Sequence, residues 1–212
     1  GVALCAVLGA ISSGVSTFDF IAHLDRQVHS ITCSYIPGVG QADISGSSGC
    51  FTVLMSPYSS VMRTSVWGGI PIALASLAVF VYLLFKSLDT LFRKSEDARS
   101  ETLYLLAATL LPVLTSLVYY YISVAKIGTV CKLCVGIYVA SFGVFAMALI
   151  AFLLARKSEP QMSGALPWGR YIIYFGEGCL FVFALIGLYL AFKPAYTEAM
   201  SNCGQLLQPE DK

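Results

Sequence analysis

Five long apolar runs alternate with polar segments along the chain, at residues 1–20, 66–91, 102–125, 130–154 and 171–192. A helix needs about 20 apolar residues to cross a hydrocarbon core of about 30 Å, so each run is long enough to span a membrane. Backbone N–H and C=O groups in lipid must be paired within the segment, which favours helices. The pattern therefore predicts an all-α polytopic membrane protein, a bundle of five transmembrane helices.

One polar segment, residues 22–65, is much longer than the others. It is rich in glycine and serine (GVGQADISGSSG), a composition typical of an extramembrane loop. The first apolar run already begins at Gly1, so we expect the natural chain to start before it. A cleaved signal peptide is the alternative, but no charged stretch or small-residue cleavage site supports it.

Composition and charge agree with a membrane location. The 212 residues are 57% hydrophobic and 12% charged, whereas a soluble domain carries about a quarter charged residues. The net charge of +1 gives no indication of a nucleic-acid partner. Lysine and arginine favour short cytoplasmic connections, and two such connections hold Lys86, Arg93, Lys94, Arg99, Arg156, Lys157 and Arg170. This distribution predicts a cytoplasmic N-terminus and a long loop on the outer face.

Most of the seven cysteines then lie at or near the outer face, where disulfides persist: Cys33, Cys50, Cys131, Cys134 and Cys203. Cys33 and Cys50 flank the glycine-rich stretch of the long loop, and a static disulfide that holds the loop is one interpretation. Exchange with a second thiol pair is the other, because thiol–disulfide exchange passes through mixed disulfides. The spacing of these four thiols matches no compact zinc module, so no metal site is predicted.

The CxxC motif formed by Cys131 and Cys134 lies where the fourth helix is predicted to begin, just after Gly128. A thiolate at a helix N-terminus is stabilised by unpaired N–H groups and the helix dipole. Residues three apart on a helix have Cβ atoms about 5–6 Å apart, wider than a relaxed disulfide requires, so a bridge here should be readily reduced. A packed or structurally bridged pair is the alternative interpretation.

With these residues in place, the chain resembles the vitamin K epoxide reductase family. The matching elements are Cys33, then Cys50 with Ser56 six residues later (CFTVLMS), WGGIP opening the next helix, and CKLCVGIY with Tyr138. The resemblance covers about residues 1–155 and implies a four-helix core around a quinone, with the CxxC at the outer end of the pocket. It implies that Ser56 and Tyr138 hydrogen-bond or line the quinone ring site.

The resemblance also implies an order of electron transfer among the cysteines. Cys33 would exchange with a thioredoxin-like periplasmic or extracytoplasmic protein, and Cys50 would carry the disulfide to Cys131. Cys134 would then react with a quinone, ubiquinone or menaquinone, as the electron acceptor. Bacterial relatives make disulfides in exported proteins in this way, whereas vertebrate members reduce vitamin K and its epoxide. We therefore expect a location in a bacterial inner membrane.

Some features differ from the family pattern. The loop cysteines are seventeen residues apart, a longer spacing than is usual in the family, and Thr64 stands near the position of a vertebrate asparagine. A fifth helix resembles bacterial members in which a thioredoxin-like domain follows. We divide the chain into a redox core at 1–155, a connection with the fifth helix at 156–195, and an outer tail or linker at 196–212.

Further side chains carry weaker indications. Tyr119, Tyr120 and Tyr121 lie near the outer end of the third run, and at least one, with Tyr119 and Tyr120 as the candidates, could stack on the quinone. Interfacial aromatics are the ordinary explanation and are favoured for two of the three. Asp19 and Glu177 are carboxylates in or near apolar runs and receive no role. The sequence favours a quinone-coupled thiol–disulfide oxidoreductase. The alternative is a non-enzymatic membrane scaffold or transporter whose outer loop is stapled by a disulfide.

Overall fold

The computed structural model describes residues 1–24, 49–54, 56–62, 69–92, 98–158 and 168–192. Its helices are α1 (Val2–Leu24), α2 (Gly49–Leu54), α3 (Ile72–Phe92), α4 (Ala98–Ile122), α5 (Lys132–Ser158) and α6 (Trp168–Phe192). A two-stranded antiparallel hairpin pairs β1 (Ser60–Val61) with β2 (Ile70–Pro71). Within these ranges, five helices are long and apolar enough to cross a membrane. The prediction of an all-α polytopic membrane protein is confirmed.

The second spanning helix begins later than its apolar run suggested. The run from residue 66 predicted a continuous helix, but Gly69 adopts φ 78° and Ile70–Pro71 pairs with Ser60–Val61. The backbone N–H of Ile72 then donates to the Ser59 carbonyl. Extended pairing occupies these residues, so α3 starts at Ile72.

Helix α1 lies at the centre of the bundle and packs most extensively against α3 and α5. Helix α4 packs on α5, and α6 packs on α3 at the periphery. The main core is apolar and includes Val2, Ala6, Phe80, Leu83, Leu105, Ala140, Val144 and Ala148. Of the α6 side chains only Tyr174 is buried, so the other faces of this helix are available to lipid. The architecture is thus four core helices and one peripheral helix.

Glycines set the close spacing between α1 and its neighbours. A Cβ atom on Gly9 would lie 2.4 Å from the Phe80 ring of α3. A Cβ on Gly136 of α5 would lie 2.9 Å from Oγ of Ser12, and one on Gly143 would lie 3.0 Å from Sγ of Cys5. Small residues at such crossings let helix backbones approach, which is how helices associate in lipid.

Polar contacts hold α6 against α3 and α4. The Tyr82 hydroxyl donates to the Tyr174 carbonyl at 2.6 Å and shares a hydrogen bond with the Tyr104 hydroxyl at 2.8 Å. Lys86, 1% exposed, pairs with Asp89 at 2.9 Å, and its Nζ lies 3.3 Å from the centroid of the Tyr174 ring. Because polar groups are expensive to bury in lipid unless they are paired, these contacts fix the position of the peripheral helix.

Gly9→Ala is expected to destabilise the bundle by about 1–3 kcal/mol, because the added methyl group overlaps the Phe80 ring and forces the helices apart. Gly176→Ala on α6 is the matched control, since its Cβ would meet nothing within 4 Å. Thermal unfolding in detergent, followed by helical circular dichroism, compares the two variants. Equal unfolding temperatures would contradict the close α1–α3 crossing.

Candidate thiol and cavity site

The connection between α4 and α5 places Cys131 at a helix start. Helix α4 continues into a π-helical turn at Ser123–Ile127 and ends at Gly128, whose φ of 76° and ψ of 7° are left-handed. Glycine adopts this conformation without steric cost, so it can end a helix and turn the chain. The Val135 N–H then donates to the Cys131 carbonyl at 3.0 Å. Cys131 therefore occupies the N-cap position of α5.

The two motif thiols form a hydrogen-bonded pair. The Cys134 thiol hydrogen-bonds to the Cys131 sulfur and lowers the pKa of Cys131 below its usual range, despite burial that acts in the opposite direction. Backbone N–H groups of Cys134 and Leu133 lower this pKa further, whereas the nearby Asp19 carboxylate raises it. Both cysteines are unbridged thiols in the structure. Cys131 is thus the sulfur on which negative charge is best stabilised.

Apolar side chains from two other helices cover this pair. Cys131, 1% exposed, and Leu133 form a buried cluster onto which Val15 of α1 and Val53 of α2 pack. Cys134 packs on the same cluster and is only partly buried. The Cys131 sulfur is therefore shielded by apolar side chains, whereas the Cys134 sulfur has a different environment.

That environment is a cavity of about 330 Å³ enclosed by the four core helices, α2 and the hairpin region. Its walls are mostly apolar, and α6 contributes one side chain, Val182. The polar side chains in the lining are Ser16, Ser56, Tyr58, Ser59, Ser76, Thr115, Ser116, Tyr119, Ser123, Cys134, Tyr138 and Ser141. An apolar cleft with a few converging polar groups is the usual form of a small-molecule site.

Several of these hydroxyl groups are held by neighbouring atoms. The Ser56 hydroxyl donates to the Val53 carbonyl at 2.8 Å, and the Tyr138 hydroxyl is hydrogen-bonded to Ser123. Ser116 donates to Ser141 at 2.9 Å, and Ser141 donates to the Ile137 carbonyl at 2.8 Å. The polar groups are thereby fixed in direction on the walls of an apolar space.

The structure brings four of the predicted site residues to this cavity: Ser56, Tyr119, Cys134 and Tyr138. Cys131 is linked to this group by its hydrogen bond with the Cys134 thiol. Tyr120 lies outside the lining, 52% exposed, with its ring edge-on to Tyr138 at a centroid distance of 6.1 Å. The backbone of Cys50 lies in α2, and Cys33 falls outside the described residues.

Sequence reasoning did not select the buried serines of this site. Ser116, Ser123 and Ser141 are each at most 4% exposed, and their only signal in the sequence is a polar residue within an apolar run. Asp19, 4% exposed, received no role although it acts on Cys131. Across the described ranges, no three His, Cys, Asp or Glu side chains come together in a group suited to a metal ion.

Comparison with known proteins agrees with this arrangement. No curated protein sequence matches the chain. The family model described as the vitamin K epoxide reductase family matches residues 2–149, which include α1 to α4 and most of α5. The matched region therefore contains the cavity walls other than Val182, and the CxxC. The chain belongs to the vitamin K epoxide reductase family. Membership of this family supports a quinone-linked oxidoreductase function.

Proposed function

We propose that this protein is a quinone-coupled thiol–disulfide oxidoreductase that supports disulfide formation in exported proteins. In this proposal electrons pass from a thioredoxin-like partner through Cys33 and Cys50 to Cys131 and Cys134, and then to a membrane quinone. The observation that carries the proposal is the position of Cys134, on the wall of an apolar cavity and hydrogen-bonded to a buried Cys131.

The cavity suits a quinone ring by size and chemistry. Its volume of about 330 Å³ lies at the lower end of the range for small-molecule sites. A ring with two carbonyl oxygens needs apolar walls and a hydrogen-bond donor, and we assign the Tyr138 hydroxyl as that donor. Ser56, whose hydroxyl donates to the Val53 carbonyl, is assigned to the lining of the ring site. Tyr119 contributes a further aromatic wall. A bound quinone would supply an acceptor for two electrons and two protons.

The paired sulfurs account for release of these electrons. The Cys131 thiolate accepts the proton of Cys134 along their hydrogen bond, which leaves the Cys134 thiolate beside the cavity. Loss of two electrons and of the remaining proton joins the two sulfurs in a disulfide, and the second proton that a quinol needs comes from solvent. The first turn of α5 must tighten to accommodate this bridge, so the bridge is readily reduced again by an incoming thiol.

The incoming thiol is proposed to come from Cys50. Its backbone lies in α2, one helical turn before Val53, and Val53 packs on the cluster that contains Cys131. This position on α2 supports a disulfide exchange between the two cysteines. Cys33 would in turn exchange with the thioredoxin-like partner, and the long loop would connect the two steps.

The proposed orientation follows from the ends of the helices. Helices α1 and α4 end, and α3 and α5 begin, at the end of the bundle that carries the CxxC. At the opposite end α3 and α5 end and α4 and α6 begin, and the positive side chains of these helices within three residues of those ends are Arg99, Arg156, Lys157 and Arg170. The proposal places that end in the cytoplasm of a bacterial cell, with the thiols outside the inner membrane.

Cys134→Ala is expected to lower the rate of quinone reduction to the uncatalysed rate, because the cavity lining that the structure describes then contains no sulfur. The assay uses purified protein in detergent, reduced with dithiothreitol and mixed with a soluble quinone. Cys179→Ala on α6 is the matched control and should retain the wild-type rate. Equal, negligible rates for wild type and variants across several quinones would favour the scaffold or transporter interpretation.

Cys33→Ala is expected to separate the two ends of the relay. The variant should lose turnover with a reduced thioredoxin-like protein and retain turnover with dithiothreitol, because the small reductant reaches the inner thiols directly. Initial rates of quinone reduction with each reductant measure the difference. If both reductants support the variant equally, Cys33 is not the point of entry.

Tyr138→Phe is expected to raise the KM for quinone about threefold to tenfold, because one hydrogen bond to the ring site is lost. Tyr120→Phe is the matched control, since the same atom is removed from a neighbouring ring that lies outside the cavity lining. Steady-state kinetics at saturating dithiothreitol give both values. An equal effect of the two substitutions would argue against Tyr138 as a hydrogen-bonding residue of the site.

A further inference from the structure

Asp19 is a buried carboxylate close to the CxxC pair. It is 4% exposed and lies on α1 four residues after Val15, which packs on the Cys131–Leu133 cluster. Residues four apart on a helix share a face, so Asp19 is directed toward the start of α5. Its negative charge acts on the Cys131 sulfur and raises the pKa of that thiol. A carboxylate is thus placed where a helix N-terminus otherwise favours negative charge.

The groups around Cys131 come from several elements. Within the described residues, Cys134 and Tyr138 of α5 and Asp19 of α1 interact electrostatically with it. Lys132 is adjacent in sequence, but its side chain is exposed. Among the α2 side chains that the structure describes, the apolar Val53 packs on this cluster. Charges act more strongly across a buried, weakly polar region than across water, so the Asp19 carboxylate retains its effect on Cys131.

We propose that Asp19 is a positioning residue that lowers the reduction potential of the Cys131–Cys134 pair and so directs electrons out toward the cavity. When Cys131 is deprotonated, the reduced pair carries a negative charge on that sulfur, whereas the disulfide is neutral. A nearby negative charge therefore destabilises only the reduced form. This inference rests on the proposed function for its physiological meaning, although the potential itself belongs to the two thiols alone.

Redox titration with glutathione tests the proposal. The titration uses a variant in which the other five cysteines are replaced by alanine, so that Cys131 and Cys134 remain. Each molecule that forms its disulfide converts one glutathione disulfide to two glutathiones, with uptake of one proton from solvent. Asp19→Asn and Asp19→Ser should each shift the equilibrium constant toward the dithiol by about tenfold, equivalent to about 30 mV. Asp19→Glu keeps the charge and should stay near the wild-type potential. Two uncharged variants guard against the failure of one to fold.

A second readout is the pH dependence of the Cys131 thiolate, followed by its ultraviolet absorbance. In the uncharged variants the thiolate should persist to lower pH, because the group that opposes it is gone. A purely structural role for Asp19 would not move both values in these directions.

Glu177→Gln on α6 is the matched control for loss of an intramembrane carboxylate far from these sulfurs, and it should leave the potential unchanged. Equilibrium constants within about twofold of the wild-type value for all Asp19 variants would overturn the proposal. An equal shift in Glu177→Gln would overturn it as well. The titration contains no quinone, so its outcome is independent of whether the protein reduces quinones. A failed quinone assay with an intact Asp19 effect would contradict the proposed function alone.

Discussion

The start of α5 is the constraint on which the rest of the site depends. The first N–H groups of any helix lack partners within the helix, and near a membrane they must find them elsewhere. Here the Cys131 sulfur accepts hydrogen bonds from the N–H groups of Leu133 and Cys134, because Gly128 turns the chain in a left-handed conformation just before the helix. A structural requirement of the helix thereby lowers the pKa of the Cys131 thiol. Cys134 and Tyr138 follow at one and two turns and reach the cavity.

The sequence determined the spanning helices well because lipid imposes a minimum length on every apolar crossing. It was less informative where local geometry decides. The predicted start at residue 66 was wrong because Ile70–Pro71 pairs with Ser60–Val61 in the hairpin, so α3 begins at Ile72. The neighbouring tyrosines 119 and 120 could not be distinguished either. Successive residues on a helix point about 100° apart, so only one of the two lines the cavity.

The serines of the cavity and the position of α6 could not be predicted for a different reason. A serine in an apolar run has no spacing signature, and its role depends on which helix faces it. Ser116 acquires meaning only through Ser141 on α5. Likewise, the sequence does not indicate that Tyr82 and Lys86 of α3 contact Tyr174 of α6, or that Val182 of α6 lines the cavity. Tertiary contacts, not local pattern, determine these features.

A relay between a thiol partner and a quinone requires an intermediate redox balance. A CxxC pair stabilised only by a helix N-terminus holds its electrons firmly, since stabilising the thiolate makes a pair strongly oxidising. Such a pair would accept electrons from Cys50 but release them reluctantly. Burial of Cys131 and the charge of Asp19 both oppose the thiolate. In the proposed relay, these competing contributions at one sulfur would permit both halves of the transfer. Helix α1, which carries Asp19 and packs on α3 and α5, would then take part in the chemistry as well as in the fold.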